Sequence, residues 1–429
     1  MKGIREMGSV NVRKRGKTYQ YYFEAAPING KRKQISKSGF KTKADALEEG
    51  TVAYNEYLST GIDFKESNIS YSDYLDYWIE NYCKVNLKYN TIQAYNTIIE
   101  KYLKPNIGMY RLSSLTSVKL HSFITEICLK YSFSRSYFSN ILKVLKGSFR
   151  EACDVYGFIR YNPTLTLRLP KIEEKKKNEK HIYSQEEIDR ILLRFNNNDT
   201  FTCAFLTSCY TGMRTGEVCA LTWNDIDFKN GTIHVQHNVY DKKKDEKGKW
   251  FLGSTKTTTG DRVIHISNTL LKALKNYKKK QIFLKKMYGP NYHYYHLEEV
   301  KNQYGKVVEY RIVENENNLF TVNTLNLIFT RENGIYSGTD ITRYPFKIIH
   351  HELGIKKCRF YDLRGSYATK ILKNGVEIRD VADILGHKNI ETTENYYISS
   401  SNESRKEAND IFEQVTHSEI INKISNYKY

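Results

Sequence analysis

The spacing of hydrophobic and polar positions changes repeatedly along this chain, and each change predicts a different element. Residues 10–16 and 18–23 alternate about Gly16-Lys17, which predicts a hairpin. A third strand is predicted over 33–36, after the Asn29-Gly30 turn, and a helix start over 42–47. From 69 to 168 the period becomes helical. Tyr74, Trp78 and Ile79 share one stripe, and Ile92, Tyr95, Ile98, Ile99 and Leu103 share another. Leu120, Phe123 and Ile124 follow in a further helix, and residues 134–156 continue the pattern. Residues 169–180 are charged and have no apolar period, as expected of a linker.

The second half opens with Ser184-Gln185-Glu186-Glu187, a capping box ahead of Ile188, Ile191, Leu192 and Phe195. A largely apolar helix over 201–210 is broken by Gly212. Thr215 is predicted to cap a helix over 216–222 with Glu217 in its first turn. Arg214 then sits at the mouth of a helix N-terminus, where anions are favoured. The plainer reading is a loop arginine paired with Glu217. Residues 231–240 and 250–266 read as strands joined by a polar loop over 241–249, with a tight turn over 257–261 just after Lys256. Ser267 caps a long helix carrying Leu270, Leu271 and Leu274. Residues 283–319 hold Tyr288, Tyr292, Tyr294 and Tyr295 without a clear period. Leu363, Tyr367, Ile371 and Leu372 make a core stripe that ends at Gly375. Val376, Ile378, Val381, Ile384 and Leu385 make the next, ending at Gly386, a turn expected to point His387 away from the core. A short helix over 392–397 and a weak one over 403–415, with Ala408, Ile411 and Phe412, complete the pattern.

The predicted fold is therefore multidomain. Residues 1–65 form a small α+β domain of three strands and a helix, 69–168 an all-α bundle, and 169–180 a linker. Residues 181–400 form a mainly α domain with a small antiparallel sheet, and 401–429 a tail. A length of 429 residues fits about three domains at ~150 residues each. Sixty-seven lysines and arginines against 48 acidic residues give a net charge of +19, which points to a polyanionic partner. Seven scattered cysteines with no C-x-x-C imply reduced thiols and no zinc site. His293 with His296, and His350-His351-Glu352, lack the further ligands of a metal site. The lack of a long apolar run predicts a soluble, intracellular protein with no membrane partner. With 35 tyrosines present, only the position of a tyrosine is informative.

The chemistry concentrates between residues 361 and 397. Arg364, Leu385-Gly386-His387 and Tyr396-Tyr397 stand there in order, preceded by Arg214 and Lys256. Cations that hold a phosphate and a phenol that attacks it suffice for phosphoryl transfer without metal or other cofactor. The order Arg214, Lys256, Arg364, His387, Tyr396, with the spacing from His387 to Tyr396, resembles the tyrosine recombinase (integrase) family over roughly residues 180–400. The resemblance implies that Tyr396 is the nucleophile, in preference to Tyr397. Arg214, Arg364 and His387 would hold the phosphate, and Lys256 would be the general acid. One position departs: the family's histidine three residues before the second arginine is here Tyr361, a poor base at neutral pH. A hydrogen-bonding role is expected of it.

The front of the chain resembles the family's arm-type DNA-binding domain, with Arg13, Lys14, Arg15, Arg32 and Lys33 facing DNA. The helical bundle resembles its core-binding domain, with Lys143 and Lys146 meeting phosphates; the solvated-face reading of each lysine is as good. The implied function is site-specific recombination on double-stranded DNA, at core crossover sites and arm-type sites, integrating and excising a mobile element. A linker that lets two domains close round DNA, a tetramer, a Holliday-junction intermediate, an excisionase and a host DNA-bending protein also follow from the resemblance. So does a location on the nucleoid of a bacterial cytoplasm. Two alternatives stay open: a type IB topoisomerase-like enzyme, and a catalytically silent DNA-binding protein.

Overall fold

The computed structural model describes residues 10–28, 31–60, 68–171, 181–246, 248–254, 260–302, 305–355 and 358–397. At 26–28, 31–33, 58–60, 244–245, 254 and 395–397 it describes the backbone only. The chain divides into two compact units, Met1–Lys177 and Asn178–Tyr429.

In the first unit, strands β1 (Asn11–Arg15), β2 (Thr18–Ile28) and β3 (Lys31–Phe40) form an antiparallel sheet in that order. Gly16 takes the positive φ that the β1–β2 turn requires. β3 is longer than the four residues predicted. Helix α1 (Lys43–Thr60) packs on one face, over Tyr21 and Phe23, with Ala53, Tyr54 and Tyr57 from the helix. Gly50 permits this approach: a Cβ there would lie 2.7 Å from Val10 Cγ1 and 2.8 Å from Tyr21 Cβ.

The helical part follows the predicted stripes. Its elements are α2 (Tyr71–Trp78), α3 (Lys84–Asn86), α4 (Tyr89–Ile98), α5 (Lys104–Ile107), α6 (Ser117–Lys130) and α7 (Arg135–Asp154). Single π-helical turns, Ile79–Cys83 and Ile99–Leu103, run between α2 and α3 and between α4 and α5. Ser70, Thr116 and Ser134 cap α2, α6 and α7 by accepting a backbone N–H. Tyr74, Trp78, Ile92, Ile98, Leu103, Leu120, Phe123 and Ile124 all enter one core. Tyr71 and Tyr74 fasten α2 to α7 through the hydroxyl and carbonyl of Ser148, at 2.9 and 2.6 Å.

The second unit begins with α8 (Gln185–Arg194), whose predicted capping box is present, then α9 (Asp199–Thr211) and α10 (Thr215–Ala220). Strands β4 (Ile226–Asp227), β5 (Thr232–Val235), β6 (His237–Asp245), β7 (Gly248–Ser254) and β8 (Arg262–His265) lead to α11 (Asn268–Tyr288). Then come β9 (Tyr295–Lys301), β10 (Val307–Glu314), α12 (Arg343–His351), α13 (Asp362–Lys373), α14 (Ile378–Leu385) and α15 (Glu391–Tyr397). The main core joins Phe201 and Phe205 of α9 to Trp223, Ile264, Leu270, Phe329 and Leu363.

The structure departs from the sequence reading at three places. The strand runs 231–240 and 250–266 divide between two antiparallel sheets, β4-β5-β8 and β6-β7-β10-β9, where one was expected. The polar run 241–249 is largely strand; Tyr240 and Lys242 bond Glu309, and Lys242 lies 4.4 Å above the Phe251 ring, so its charges are paired across the sheet. The segment 283–319 finishes α11 and supplies the β9–β10 hairpin, whose Tyr295 and Ile312 join Val239, Trp250 and Leu252 in a core of their own. The linker remainder 172–180 and the tail 398–429 lie outside the described residues. Among the described residues no helix is long and apolar enough to cross a membrane.

Gly50 offers a test of how the front sheet is held. Gly50→Leu should push α1 off β2 and cost about 1–3 kcal/mol, as overpacking does. A urea melt followed by tyrosine fluorescence would show the loss, and an unchanged midpoint would refute the contact.

Candidate active site

Arg214, Arg364 and His387 come together at two helix ends. α9 stops at Gly212, which is left-handed at φ 63°. No side chain fits there: a Cβ would lie 2.6 Å from Leu385 Cδ2 and 2.7 Å from Tyr367 Cδ1. The turn delivers Arg214 to the cap position of α10. The sequence reading put the cap at Thr215. Instead Thr215 is the first helical residue, and the Glu217 carboxylate bonds back to the Arg214 N–H at 3.0 Å. Glu217 also takes Arg214 Nη1 at 2.5 Å, so the pairing given as the plainer reading exists within the site.

The second helix end is that of α14, which stops at left-handed Gly386. Arg364, on α13, is fully buried. Its Nη1 donates to Gly212 O at 2.8 Å and its Nη2 to Leu385 O at 2.6 Å. Arg214 Nη2 donates to the next carbonyl, Gly386 O, at 3.0 Å. The terminal carbonyls of a helix lack intrahelical donors and carry partial negative charge, so they suit cations. Arg364 Nε is buried and has no hydrogen-bond partner among the described residues. Burial, then the charge of Arg214, pull the Arg364 guanidinium down to about 10.

His387 follows directly. The Gly386 turn was expected to point it away from the core; the ring is instead half-buried. Its Nδ1 lies 2.7 Å from the hydroxyl of Thr393, a buried residue of α15. Burial first, then Arg364, Arg214 and Arg262, pull its pKa down to about 4. At neutral pH the ring is uncharged.

Arg262, at the start of β8, was not among the sequence candidates. Its Nη2 donates to Glu217 Oε2 at 2.9 Å, Nε to Ile384 O at 2.7 Å and Nη1 to Gly260 O at 2.9 Å. Burial would raise the pKa of Glu217, but Arg262 and Arg214 outweigh it and hold the carboxyl below its usual range. The available signal was an arginine six positions after Lys256 at the exit of a Gly-Asp turn. Its partners are too distant in sequence for pattern to reveal.

The other candidates are placed as follows. Tyr361 precedes α13 with helical dihedrals, is 43% exposed, and accepts the Arg364 N–H at its carbonyl at 3.2 Å. It therefore stands one turn from Arg364, as its spacing implies. Lys256 lies outside the described residues, as do the side chains of Tyr396 and Tyr397; both tyrosines lie on α15. In the first unit, Arg13, Lys14 and Arg15 are exposed on β1. They do not share a face. Arg13 bonds Gln20 at 3.2 Å and stands 4.9 Å over Tyr22, whereas Lys14 lies 5.9 Å over Tyr19, which points oppositely. Arg32 and Lys33 lie on β3, with side chains outside the described residues. Lys143 and Lys146 lie one turn apart on α7, exposed and half-exposed. No group of metal-ligating side chains occurs among the described residues.

Residues 182–403 match the model of the phage integrase family. Residues 10–49 match an arm DNA-binding domain, and 70–127 the N-terminal SAM-like domain of phage integrases. A XerC-like tyrosine recombinase of Caldanaerobacter subterraneus is 25% identical over 398 residues, 90% of this chain and 94% of that one. The ICEBs1 integrase of Bacillus subtilis is 22% identical over 86% of this chain and 89% of its own length. The Tn1549 transposon integrase, solved with a circular intermediate DNA, superposes with a TM-score of 0.58 at 18% identity, over 79% of this chain and 99% of its own. Lambda integrase bound to a core site superposes with a TM-score of 0.51 at 16% identity, over 93% and 97%. These likenesses are of fold.

The depressed His387 pKa fixes a sign. The unfolded chain takes up a proton near pH 6.5, the folded protein only near 4, so His387 contributes stability above 6.5 that is lost as the pH falls towards 4. Melting temperatures across that window should fall less steeply in His387→Gln than in the wild type. Equal slopes would mean that the ring is not desolvated.

Proposed function

The chain belongs to the phage integrase family, and we propose that it is a site-specific tyrosine recombinase that integrates and excises a mobile element. The observation that carries the mechanism is the placement of Arg214 and Arg364 on adjacent carbonyls beside His387, four residues ahead of the start of the α15 helix that bears Tyr396.

The Tyr396 phenolate attacks the scissile phosphorus, and the bond to the 5′-oxygen breaks. The products are a 3′-phosphotyrosine and a free 5′-hydroxyl. The phosphodiester is exchanged and not hydrolysed, so a 5′-hydroxyl from the other duplex reverses the step without ATP. Arg214 and Arg364 bond the non-bridging oxygens, most strongly as charge builds in the transition state. His387 donates a further bond. Lys256 protonates the leaving 5′-oxygen. Tyr361, one turn from Arg364, donates a hydrogen bond at the same phosphate or at Tyr396. A phenol is a poor base at neutral pH, so proton removal from Tyr396 does not depend on it.

Two duplexes exchanged through a Holliday junction present four scissile phosphates and require four nucleophiles, which supports a tetramer on DNA. Arg13, Arg15 and Tyr22 give the front sheet a basic, aromatic face suited to arm-type sites, and Lys143 and Lys146 suit phosphates of the core site. An excisionase and a host DNA-bending protein would set direction, on the nucleoid of a bacterial host.

Two substitutions test the assignment on a nicked suicide duplex. Tyr396→Phe should abolish the covalent adduct, whereas Tyr397→Phe should retain it; the opposite result would move the nucleophile. Tyr361→Phe should slow cleavage by roughly 10- to 100-fold, as loss of a transition-state hydrogen bond does. A rate equal to the wild type would remove Tyr361 from the mechanism.

A further inference from the structure

Arg262 touches three separate parts of the site at once. Ile384, Leu385 and Gly386 are consecutive residues at the end of α14, and each carbonyl accepts from a different arginine: Arg262, Arg364 and Arg214. Arg262 also takes one oxygen of Glu217, whose other oxygen takes Arg214. Its third bond goes to Gly260 O, in its own turn. The side chain keeps only 7% of its exposure and all three guanidinium nitrogens donate to protein acceptors, whereas Arg364 keeps Nε without a partner among the described residues and the Arg214 side chain is 21% exposed.

We propose that Arg262 is a positioning residue of the phosphate cradle, tying Glu217 of α10 and the last turn of α14 into one geometry so that Arg214, Arg364 and His387 converge on a single phosphate. The proposal rests on the recombinase reading above. Two physical arguments support it. First, Glu217 paired with Arg214 alone would cancel the charge that a phosphate needs. Shared with Arg262, the carboxylate leaves three guanidiniums with one counter-charge, so the cradle stays positive. Second, Arg262 fixes the carbonyl just before the two that hold Arg364 and Arg214. A planar five-donor fork reaches three acceptors in separate directions, and a lysine ammonium on a flexible stem does not.

Arg262→Lys and Arg262→Gln in the full chain separate fork from charge. Both should cleave the nicked suicide duplex at least ~30-fold more slowly than wild type, with DNA affinity within about threefold. The His387 ring, followed by NMR titration, should rise in pKa in Arg262→Gln, where a nearby cation is lost, and stay near the wild-type value in Arg262→Lys. Wild-type cleavage by Arg262→Lys would overturn the proposal, because charge alone would then suffice. So would cleavage by Arg262→Gln within threefold of wild type, or a rate loss matched by lost DNA affinity. If Arg262→Gln melts below the assay temperature, Arg262→Lys decides alone. A slow, folded, DNA-binding Arg262→Lys supports the proposal, and an unfolded one assigns Arg262 to the fold and overturns it. If the wild-type protein forms no adduct, the recombinase reading itself fails; if the wild type forms it and Arg262→Lys cleaves at the wild-type rate, only the role of Arg262 fails.

Discussion

Three guanidinium groups share the carbonyl end of one eight-residue helix, and the rest of the second unit makes that possible. Arg262, Arg364 and Arg214 hold the carbonyls of Ile384, Leu385 and Gly386 in turn. Like charges this close and this buried repel one another, and removal from water adds to the cost. Two terms offset it: the negative end of the α14 dipole and the single buried carboxylate of Glu217. The compensation is incomplete. The Arg364 guanidinium is pulled down to about 10 and the His387 imidazole to about 4, so the cluster resists further positive charge. That excess of positive charge favours an anion, and backbone carbonyls hold the guanidiniums in place beforehand, the condition under which electrostatic stabilisation works best in catalysis.

The fold supplies this arrangement through two left-handed glycines. Gly212 ends α9 and offers its carbonyl to Arg364; Gly386 ends α14 and offers its carbonyl to Arg214. At Gly212 the requirement is double, because the backbone conformation disfavours a side chain and Leu385 and Tyr367 leave no room for one. Gly216 is similarly crowded by Asn238 and Val239 of β6, which ties the second sheet to α10 close to Arg214. That sheet has its own core, so it buttresses α10 without sharing the main interior.

Much of this was legible in the sequence where the cause is local. Helical stripes, serine caps, the α8 capping box and the two glycine stops depend on residues a few positions apart, and they appear as read. Arg214, Arg364 and His387 converge as their order implied. What escaped depends on contacts across the fold. Arg262 looks like an ordinary charged residue at a strand edge, because its distant acceptors are a backbone carbonyl 122 residues away and a carboxylate on α10. The polar stretch of β6 looks like a loop, because its lysine and tyrosine are answered by Glu309 on a strand that itself lacked a clear period. Arg214 replaces Thr215 as the cap because Glu217 reaches back to its amide, and side-chain oxygens at the cap are only one way to satisfy a helix start. The front sheet shows the complementary limit: a run of three basic residues on a strand must alternate, so Arg13 and Lys14 serve different faces.

The link between His387 and Thr393 bears on how the cradle answers a phosphate. A neutral imidazole has one N–H, and the nitrogen that faces a phosphate must carry it in order to donate. Nδ1 is then a bare acceptor and needs a donor. When the ring instead carries a second proton, drawn by the negative charge of a bound phosphate, Nδ1 becomes a donor and needs an acceptor. A hydroxyl is the one small side-chain group that meets both demands by rotating, so Thr393 lets His387 change protonation state without breaking its anchor. Thr393 also lies on α15, three residues before Tyr396. The orientation of the imidazole thus depends on the same helix that carries Tyr396, and displacing that helix would withdraw both groups together.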